Sequence, residues 1–115
     1  HGGKIINLSS SVVGMKLETY GVYTASKAAI ESLTAILAKE LRGKNITVNA
    51  IAPGPTATAL FLEGKSDELI ARLIQAAPLE RLGTVEDIAA VLDFAVNEGS
   101  NWVNAQILRV NGGIV

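Results

Sequence analysis

The sequence predicts an α/β fold that forms about half of a doubly wound parallel sheet, with three strands and about three helices. Two short apolar runs rich in β-branched residues, at residues 4–9 and 46–51, are typical of strands buried on both faces of a sheet. A helical apolar repeat lies between them, so the three segments make a βαβ unit that we expect to be right-handed. A further apolar run at residues 105–110 predicts the third strand.

The composition of the 115-residue chain is that of one small domain with a real core, since hydrophobic residues make up 49% of it. The formal net charge is −1, which does not suggest a nucleic-acid or anionic-membrane surface. No cysteine is present, which excludes disulfides and thiolate metal sites, and we interpret the single histidine, His1, as incidental. No apolar run is long enough to span a bilayer and no signal segment opens the chain, so we expect a cytoplasmic protein.

The first predicted strand leads into a long loop, residues 10–21, and long loops at the carboxyl ends of parallel strands are where ligands bind. A helix is predicted at residues 24–42, with Gly43 as its C-terminal stop. The apolar positions that recur at helical spacing in this segment are Ile30, Leu33, Leu37 and Leu41. The small side chains that would let another helix pack closely are Ala25, Ala28, Ala29 and Ser32.

The second predicted strand is followed by another long loop, residues 52–65, on the same edge of the sheet as the first. A short amphipathic helix is predicted at residues 67–76, with Ser66 as its N-terminal cap. Thr84 is predicted to cap a further helix, with Asp87 three residues later in the position of a capping box. Two long loops on one edge of the sheet predict a site that is shared between the strands.

One serine, one tyrosine and one lysine carry the predicted chemistry. Ser10 precedes Tyr23 by thirteen residues, and Lys27 follows Tyr23 at i, i+4, so the last two leave one face of a helix. A phenol is a weak acid, and a neighbouring ammonium favours the phenolate and use of the hydroxyl as a general acid or base. A serine hydroxyl can hold the oxygen on which charge changes, so the trio predicts proton transfer for an alcohol and carbonyl pair. Tyr20 has no lysine four residues on, and we interpret it as a pocket or surface residue.

The serine followed by Tyr-x-x-x-Lys resembles the signature of the short-chain dehydrogenase/reductase family, including its serine-to-tyrosine spacing. Three further stretches are similar to the same family: Pro53-Gly54 followed by threonine, Arg-Leu-Gly at residues 81–83 with Glu-Asp-Ile-Ala at 86–89, and Asn-Gly-Gly at 111–113. Tyr-x-x-x-Lys alone occurs often by chance, whereas the combination is specific. The serines at 9–11 and the Arg-Leu-Gly stretch look most like the 3-oxoacyl-[acyl-carrier-protein] reductase branch.

The resemblance implies a Rossmann-type sheet and an NAD(P)-dependent oxidoreductase that interconverts a secondary alcohol and a ketone by hydride transfer. Tyr23 would be the catalytic acid/base, Lys27 would favour its phenolate and bind the nicotinamide ribose, and Ser10 would hydrogen-bond the substrate oxygen. The cofactor would be NADP or NAD, with NADP favoured. Besides Tyr23 and Lys27, the residues that would contact the cofactor are Pro53, Gly54, Thr56 and Thr58. Residues 60–62 would belong to a mobile lid over a small-molecule substrate.

A dinucleotide site of this type needs a glycine-rich turn between a first strand and a helix, and no such cluster of glycines occurs here. We therefore interpret residues 1–115 as the C-terminal part of a single dinucleotide-binding and catalytic domain. Its partner would be an N-terminal glycine-rich half, and the 115 residues alone are expected to bind a whole dinucleotide poorly. The resemblance also implies a homo-oligomer, a dimer or tetramer, in which the helix after the first loop commonly packs across a subunit interface.

Two other functions stay open at this point. The chain can be a half-domain that only folds or assembles, with idle active-site residues, or a relative of the nucleotide-sugar epimerases and dehydratases that use the same trio. Ser9 and Ser11 are the neighbours that could be mistaken for Ser10, and each lies one residue away from the serine-to-tyrosine spacing of the family. We expect Trp102 to be a core or interface anchor, and Asn49 to satisfy loop backbone groups from a buried position.

Overall fold

The structure is a computed structural model that describes residues 2–115, so His1 lies outside the described residues. The strands are β1 (Gly3–Leu8), β2 (Ile46–Pro53) and β3 (Ile107–Val110). The helices are α1 (Val12–Met15), α2 (Gly21–Glu40), α3 (Ala59–Leu62), α4 (Asp67–Ala76) and α5 (Val85–Val96), and a 3₁₀ turn follows at Glu98–Ser100. The three longer helices are the predicted ones, whereas α1 and α3 are single turns inside the two long loops. Among residues 2–115, no helix has both the length and the apolar character that a membrane crossing requires.

The strands β1, β2 and β3 form one parallel sheet in that order, which confirms the predicted α/β fold. β1 pairs with residues 46–51 of β2, and β3 pairs with the second half of the same strand. β2 is therefore the central strand, and its Val48, Ala50 and Ile51 are completely buried. β2 runs two residues beyond its predicted end, because those residues pair with β3.

Helix α2 starts three residues earlier and ends two residues sooner than predicted. Its buried residues are Thr34 and Ala38, and the amide of Asn7 on β1 donates to the Thr34 hydroxyl at 3.0 Å. Small inward side chains let the helix lie close to the sheet. Leu33, one of the apolar positions at helical spacing, lies on the outer surface and is 60% exposed.

Helices α4 and α5 begin where their capping residues predict. The Ser66 hydroxyl accepts a hydrogen bond from the Leu69 N–H at 3.2 Å and caps α4. The Thr84 hydroxyl accepts from the Asp87 N–H at 3.1 Å, and the Asp87 carboxylate accepts from the Thr84 N–H at 2.8 Å. The predicted capping box of α5 is therefore confirmed.

Strand β3 starts two residues later than predicted: the Ala105 N–H donates to the Val48 carbonyl of β2 at 2.8 Å, but Ala105 has a φ of 59° in the left-handed region, and the regular pairing with β2 starts at Ile107. Asn49 holds this segment from β2: its amide donates to the Val103 carbonyl at 2.9 Å, and its Oδ1 accepts from the Gln106 N–H at 2.9 Å. Asn49 is buried, so its predicted role is confirmed. Trp102 lies in an exposed turn and is 99% exposed, so the prediction of a core anchor is wrong, and its place at an interface stays a prediction.

Candidate active site

The two long loops meet at the carboxyl end of the sheet. β1 ends at Leu8 and β2 ends at Pro53, and the loops that follow two neighbouring parallel strands leave side by side. Backbone hydrogen bonds join the loop after β1 to β2. The Ser9 N–H donates to the Ile51 carbonyl at 2.8 Å, and the Ser11 N–H donates to the Pro53 carbonyl at 2.9 Å. The residues after both strands therefore lie in one region, which is the candidate active site.

The two serines that flank Ser10, Ser9 and Ser11, hold the first loop in place. The Ser9 hydroxyl hydrogen-bonds the Glu31 carboxylate of α2 at 2.5 Å, and Ser9 is 5% exposed. The Ser11 hydroxyl donates to the Ala52 carbonyl of β2 at 2.7 Å, and Ser11 is 1% exposed. Both hydroxyls therefore connect the loop to the elements packed beside it and are already engaged.

Ser10 lies between these two anchored serines and differs from both of them. It is half-buried, and its Oγ accepts a hydrogen bond from the Val12 N–H at 3.3 Å. A hydroxyl that accepts from a backbone N–H keeps its own proton for donation. Of the three adjacent serines, Ser10 is the one whose proton is available to a ligand oxygen.

Tyr23 and Lys27 lie near the start of α2, where the helix passes the end of β1. The Lys27 Nζ donates to the Leu8 carbonyl at 3.2 Å and lies 5.9 Å from the centroid of the Tyr23 ring. Leu8 is the last residue of β1 and precedes Ser10 by two residues, so the structure brings the predicted trio to one edge of the sheet. An ammonium has three donors, and the Leu8 carbonyl takes one of them.

The second tyrosine packs against the first. The rings of Tyr20 and Tyr23 are perpendicular, with an interplanar angle of 82° and centroids 6.5 Å apart. Tyr20 is 40% exposed and Tyr23 is 49% exposed. The pair therefore forms an open aromatic surface beside the candidate site, in which Tyr23 alone lies close to a lysine.

The two threonines that the sequence predicts as cofactor contacts both have local hydrogen bonds. The Thr56 hydroxyl donates to the Gly54 carbonyl at 2.9 Å, so it can only accept a bond from a ligand. The Thr58 hydroxyl accepts from the Phe61 N–H at 3.1 Å and caps α3, which leaves its proton available. Thr58 is therefore the better donor of the two toward a bound molecule.

Gly54 is required for a reason that the sequence alone does not reveal. Its N–H donates to the Val110 carbonyl at 2.8 Å, and a Cβ built on Gly54 would come within 2.5 Å of the Asn111 Cβ. The loop after β2 thus passes the end of β3 too closely for a side chain at this position. Packing against Asn111 explains the glycine, and contact of Pro53 and Gly54 with a cofactor stays a prediction.

The donor set at this edge suits a sugar and a carboxamide. Lys27 keeps ammonium protons beyond the one given to Leu8, and Tyr23 and Thr58 offer hydroxyl groups. These groups fit the nicotinamide end of a dinucleotide. The glycine-rich turn that would hold its pyrophosphate is not among residues 2–115.

Asn111 is the residue at this edge that sequence reasoning missed. Its amide Nδ2 donates to the Ser11 Oγ at 3.0 Å and to the Val115 carbonyl at 3.1 Å. Its Oδ1 accepts from the Gly113 N–H at 2.9 Å. Two signals could have found a role for Asn111: its place in the Asn-Gly-Gly stretch that is similar to the family, and its position directly after the third strand, on the same edge as Ser10.

An open, largely apolar cleft of about 440 Å³ lies between α4 and the loop after β1. Its walls include Met15 and Leu17 from the loop and Leu69 and Leu73 from α4, and Ile114 closes one side. Such a surface suits the apolar part of a small molecule. The cleft lies beside the loop that carries Ser10.

The strongest pKa perturbation lies away from the trio, at the start of α5. The Arg81 guanidinium, 2.6 Å from the Asp87 carboxylate, and the Thr84 N–H hold the pKa of Asp87 well below its usual range. The same hydrogen bond raises the pKa of Arg81. Because both side chains also serve the capping of α5, we interpret this ion pair as structural. Among residues 2–115, no group of three or more acidic, histidine or cysteine side chains is arranged to hold a metal ion.

Comparison with known proteins shows the family. A family model described as Enoyl-(Acyl carrier protein) reductase matches residues 1–115. A Picea abies protein named short-chain type dehydrogenase/reductase is 54% identical over 114 residues. The chain belongs to the short-chain dehydrogenase/reductase family. The predicted membership is thereby confirmed, and the predicted reductase-like branch is compatible with the matching model.

Relatives of this short-chain dehydrogenase/reductase chain differ in what their names describe. The Picea abies protein is matched over 99% of this chain and 42% of its own length. An Arabidopsis thaliana relative named NADPH-dependent aldehyde reductase-like protein, chloroplastic, is 46% identical with the same two coverages. The chain thus spans about two fifths of the length of these curated relatives.

Solved structures of the family agree with the fold. A short-chain type dehydrogenase/reductase from Mycobacterium ulcerans has a TM-score of 0.93 at 32% identity, over 98% of this chain and 42% of that one. A 7α-hydroxysteroid dehydrogenase complexed with NADH and 7-oxo glycochenodeoxycholic acid also has a TM-score of 0.93, at 37% identity, over 97% and 44%. The Rossmann-type architecture of the three-stranded parallel sheet is therefore confirmed.

Proposed function

We propose that the whole protein is an NAD(P)-dependent oxidoreductase that interconverts a secondary alcohol and a ketone. The observation that carries this proposal is the Lys27 Nζ, which binds the Leu8 carbonyl at the end of β1 while it lies 5.9 Å from the Tyr23 ring centroid. That contact supports a common location for the Tyr23 phenol, the Lys27 ammonium and the Ser10 hydroxyl proton, and proton transfer to a carbonyl oxygen requires such a location. Family membership supports the same conclusion.

Each residue of the trio has a distinct role in the proposed reaction. Tyr23 donates its hydroxyl proton to the carbonyl oxygen during reduction and takes it back during oxidation. Ser10 donates a hydrogen bond to the same oxygen and holds it while its charge changes. Lys27 holds a positive charge near the Tyr23 ring and donates its remaining protons to the nicotinamide ribose. A bound nicotinamide supplies or accepts the hydride.

Contact of the cofactor with Pro53, Gly54, Thr56 and Thr58 is part of the same proposal. The Thr58 hydroxyl proton is available to it, whereas Thr56 can only accept. We favour NADP over NAD. The Arabidopsis thaliana relative is named as NADPH-dependent, and the hydroxysteroid dehydrogenase structure contains NADH, so relatives use both forms.

The exposed edge of β1 supports a further part of the proposal, a partner N-terminal half. β1 pairs with β2 on one side only, and its Ile5 and Leu8 are 36% and 57% exposed. Strands of a parallel sheet are normally buried, so an apolar edge of this kind suits pairing with a further strand. The half that supplies this strand would also supply the pyrophosphate site.

The outer face of α2 supports the proposal of a homo-oligomer. Val22, Leu33 and Ile36 on this helix are 88%, 60% and 51% exposed. A row of exposed apolar residues on one helix is typical of an interaction surface. A dimer or tetramer that buries this face is the form in which we expect the enzyme to act.

The decisive experiment compares two tyrosines in the whole protein. Purified enzyme is assayed with a broad panel of ketones and aldehydes, with NADPH and with NADH, by the absorbance of the reduced nicotinamide. We expect Tyr23→Phe to lower kcat by about 10³-fold, since general acid catalysis contributes on that order. The matched control, Tyr20→Phe, removes a hydroxyl from the adjoining ring and should change kcat less than about threefold.

Two results would contradict the proposal. Activity retained in Tyr23→Phe would remove the acid/base role. The absence of turnover with every carbonyl compound and both cofactors would favour the idle half-domain instead.

A further inference from the structure

Asn111 connects three parts of the chain at the carboxyl edge of the sheet. Its Nδ2 donates to the Ser11 Oγ at 3.0 Å and to the Val115 carbonyl at 3.1 Å, while its Oδ1 accepts from the Gly113 N–H at 2.9 Å. Both amide protons and one oxygen lone pair are thus engaged within the protein. Its side chain therefore has a single orientation in which all three bonds form.

Ser11, which accepts from Asn111, is also hydrogen-bonded to the end of β2. It is 1% exposed, its hydroxyl donates to the Ala52 carbonyl at 2.7 Å, and its N–H donates to the Pro53 carbonyl at 2.9 Å. Because the one hydroxyl proton goes to Ala52, the Ser11 oxygen can only accept from Asn111. The hydrogen-bond direction along Asn111, Ser11 and Ala52 is fixed, and it requires an amide donor at position 111.

The same asparagine also touches the second loop of the site. The Asn111 Cβ occupies the space that a Cβ on Gly54 would need, at a separation of 2.5 Å, and the Gly54 N–H is bonded to the neighbouring Val110 carbonyl. Asn111 therefore lies where the loop carrying Ser10 and the loop carrying Pro53 and Gly54 come together. Its contacts set the distance between them.

We propose that Asn111 is a positioning residue that acts through Ser11 to fix the Ser10 hydroxyl for catalysis. Ser10 is joined to Ser11 by one peptide bond, and its own hydroxyl is held only by the Val12 N–H at 3.3 Å. The orientation of Ser10 thus depends on how firmly Ser11 is anchored. Small displacements of a catalytic group lower rates strongly, so this anchor matters more for kcat than for substrate binding. The inference rests on the proposed function, since it assumes that Ser10 acts on the substrate oxygen.

Asn111→Asp in the whole enzyme isolates the hydrogen-bond donor. The carboxylate keeps an acceptor for the Gly113 N–H but cannot donate to Ser11 or to the Val115 carbonyl. We expect kcat to fall about tenfold, with the KM for the carbonyl substrate changed less than about threefold. Asn111→Ala, which keeps the Cβ beside Gly54, should lower kcat similarly. The matched control is Asn97→Asp, which removes an amide donor to the Asp93 carbonyl at the opposite end of the strands and should leave kcat unchanged.

Repeating the Asn111→Asp change in a Ser10→Ala enzyme distinguishes positioning of Ser10 from a general loosening of the fold. In a Ser10→Ala enzyme the group that Asn111 positions is gone, so Asn111→Asp should lower the residual kcat by less than about twofold. A tenfold loss that persists in the Ser10→Ala background would overturn the inference, as would an unchanged kcat in both Asn111 variants. Failure of the proposed function gives a different result, in which Tyr23→Phe and Ser10→Ala themselves keep full activity.

Discussion

The two ends of the parallel sheet use polar side chains in opposite ways. At the amino end, the Lys4 ammonium binds the Ser100 hydroxyl and the Asn101 side chain, both at 3.0 Å, and the Ser100 hydroxyl itself donates to carbonyl groups at the end of α5. At the carboxyl end, the Lys27 ammonium binds one carbonyl, and the hydroxyls of Ser10 and Tyr23 keep protons that the fold does not use.

Whether a side chain uses its hydrogen-bond donors within the protein distinguishes structural polar groups from functional ones, whatever the residue type. A lysine and a serine lie close together at each end, so composition does not distinguish the ends. At the amino end they bind each other and backbone groups, which is how buried polar groups are normally satisfied. At the carboxyl end the loop that carries Ser10 also forms one wall of an open cleft of about 440 Å³. Unused donors beside a cleft are what a binding site for a polar ligand requires.

Lys27→Ala should have the largest effect among the tests of this comparison. We expect kcat/KM to fall by about 10²-fold and the cofactor to bind more weakly, because the change removes both the ammonium beside Tyr23 and the proposed ribose donor. Steady-state kinetics and cofactor titration of the whole enzyme measure both quantities.

The control for this change is Lys39→Ala, which removes an exposed lysine from the last turn of the same helix. It should alter neither kcat nor cofactor affinity. If Lys27→Ala left cofactor affinity unchanged, the ribose role would be wrong even if kcat fell.

The fold was predictable from local signals to a large extent. Capping residues such as Ser66 and Thr84 mark helix starts through bonds to residues three positions away, so sequence spacing contains them. The side of α2 that faces the sheet was not predictable in the same way. Apolar residues occur around much of the helix, and Leu33 and Ile36 lie outside while the polar Thr34 is buried. The Thr34 hydroxyl accepts from the amide of Asn7 on β1, 27 residues away in sequence, and no local sequence pattern contains a contact of this range.

In the candidate site too, features with a local sequence signal were predictable and long-range contacts were not. Ser10, Tyr23 and Lys27 follow from one stretch and its resemblance to a family signature. The contact of Asn111 with Ser11 could not be predicted that way, because the two residues are 100 positions apart in sequence. The short turns α1 and α3 were also missed, since four residues are too few to show a helical apolar repeat, even where Thr58 caps α3. Long-range polar contacts and single turns are therefore where the structure adds most to the sequence.

Ser100→Ala tests the structural end of the sheet, and we expect a loss of stability without a loss of activity. Ser100 is 1% exposed, and removing its hydroxyl takes away the donor to the Ala95 carbonyl and one of the two acceptors of the Lys4 ammonium. Loss of one such buried bond costs roughly 1–3 kcal/mol. Asn101→Ala removes the exposed acceptor of the same lysine and should cost less than about 1 kcal/mol.

Urea unfolding of the two variants, together with their kcat values, measures this difference. A fall in kcat of Ser100→Ala under conditions where the enzyme remains folded would show that the amino end is not merely structural. Equal stability losses in the two variants would show that burial of the hydroxyl does not matter there.

The smallest effect is expected at the Arg81–Asp87 pair, and it depends on pH. The Arg81 hydrogen bond and then the Thr84 N–H hold the pKa of Asp87 below its value in the unfolded chain, which is about 4. A depressed carboxyl pKa contributes stability that is present above the unfolded value and is lost as the pH falls below it, toward the folded value. Arg81→Met should therefore lower stability slightly at neutral pH, and the deficit should shrink as the pH falls below about 4.

Unfolding midpoints of the whole enzyme at neutral and acidic pH, each at low and high salt, test this expectation. Both side chains are partly exposed, at 52% and 34%, so salt should screen the ion pair and reduce the neutral-pH deficit. Arg42→Met, which removes an exposed arginine from the turn after α2, is the control for loss of one positive charge. A deficit in Arg81→Met that is the same at every pH would mean that Arg81 stabilises this segment through its hydrogen bond to the Leu82 carbonyl, because only the interaction with Asp87 titrates.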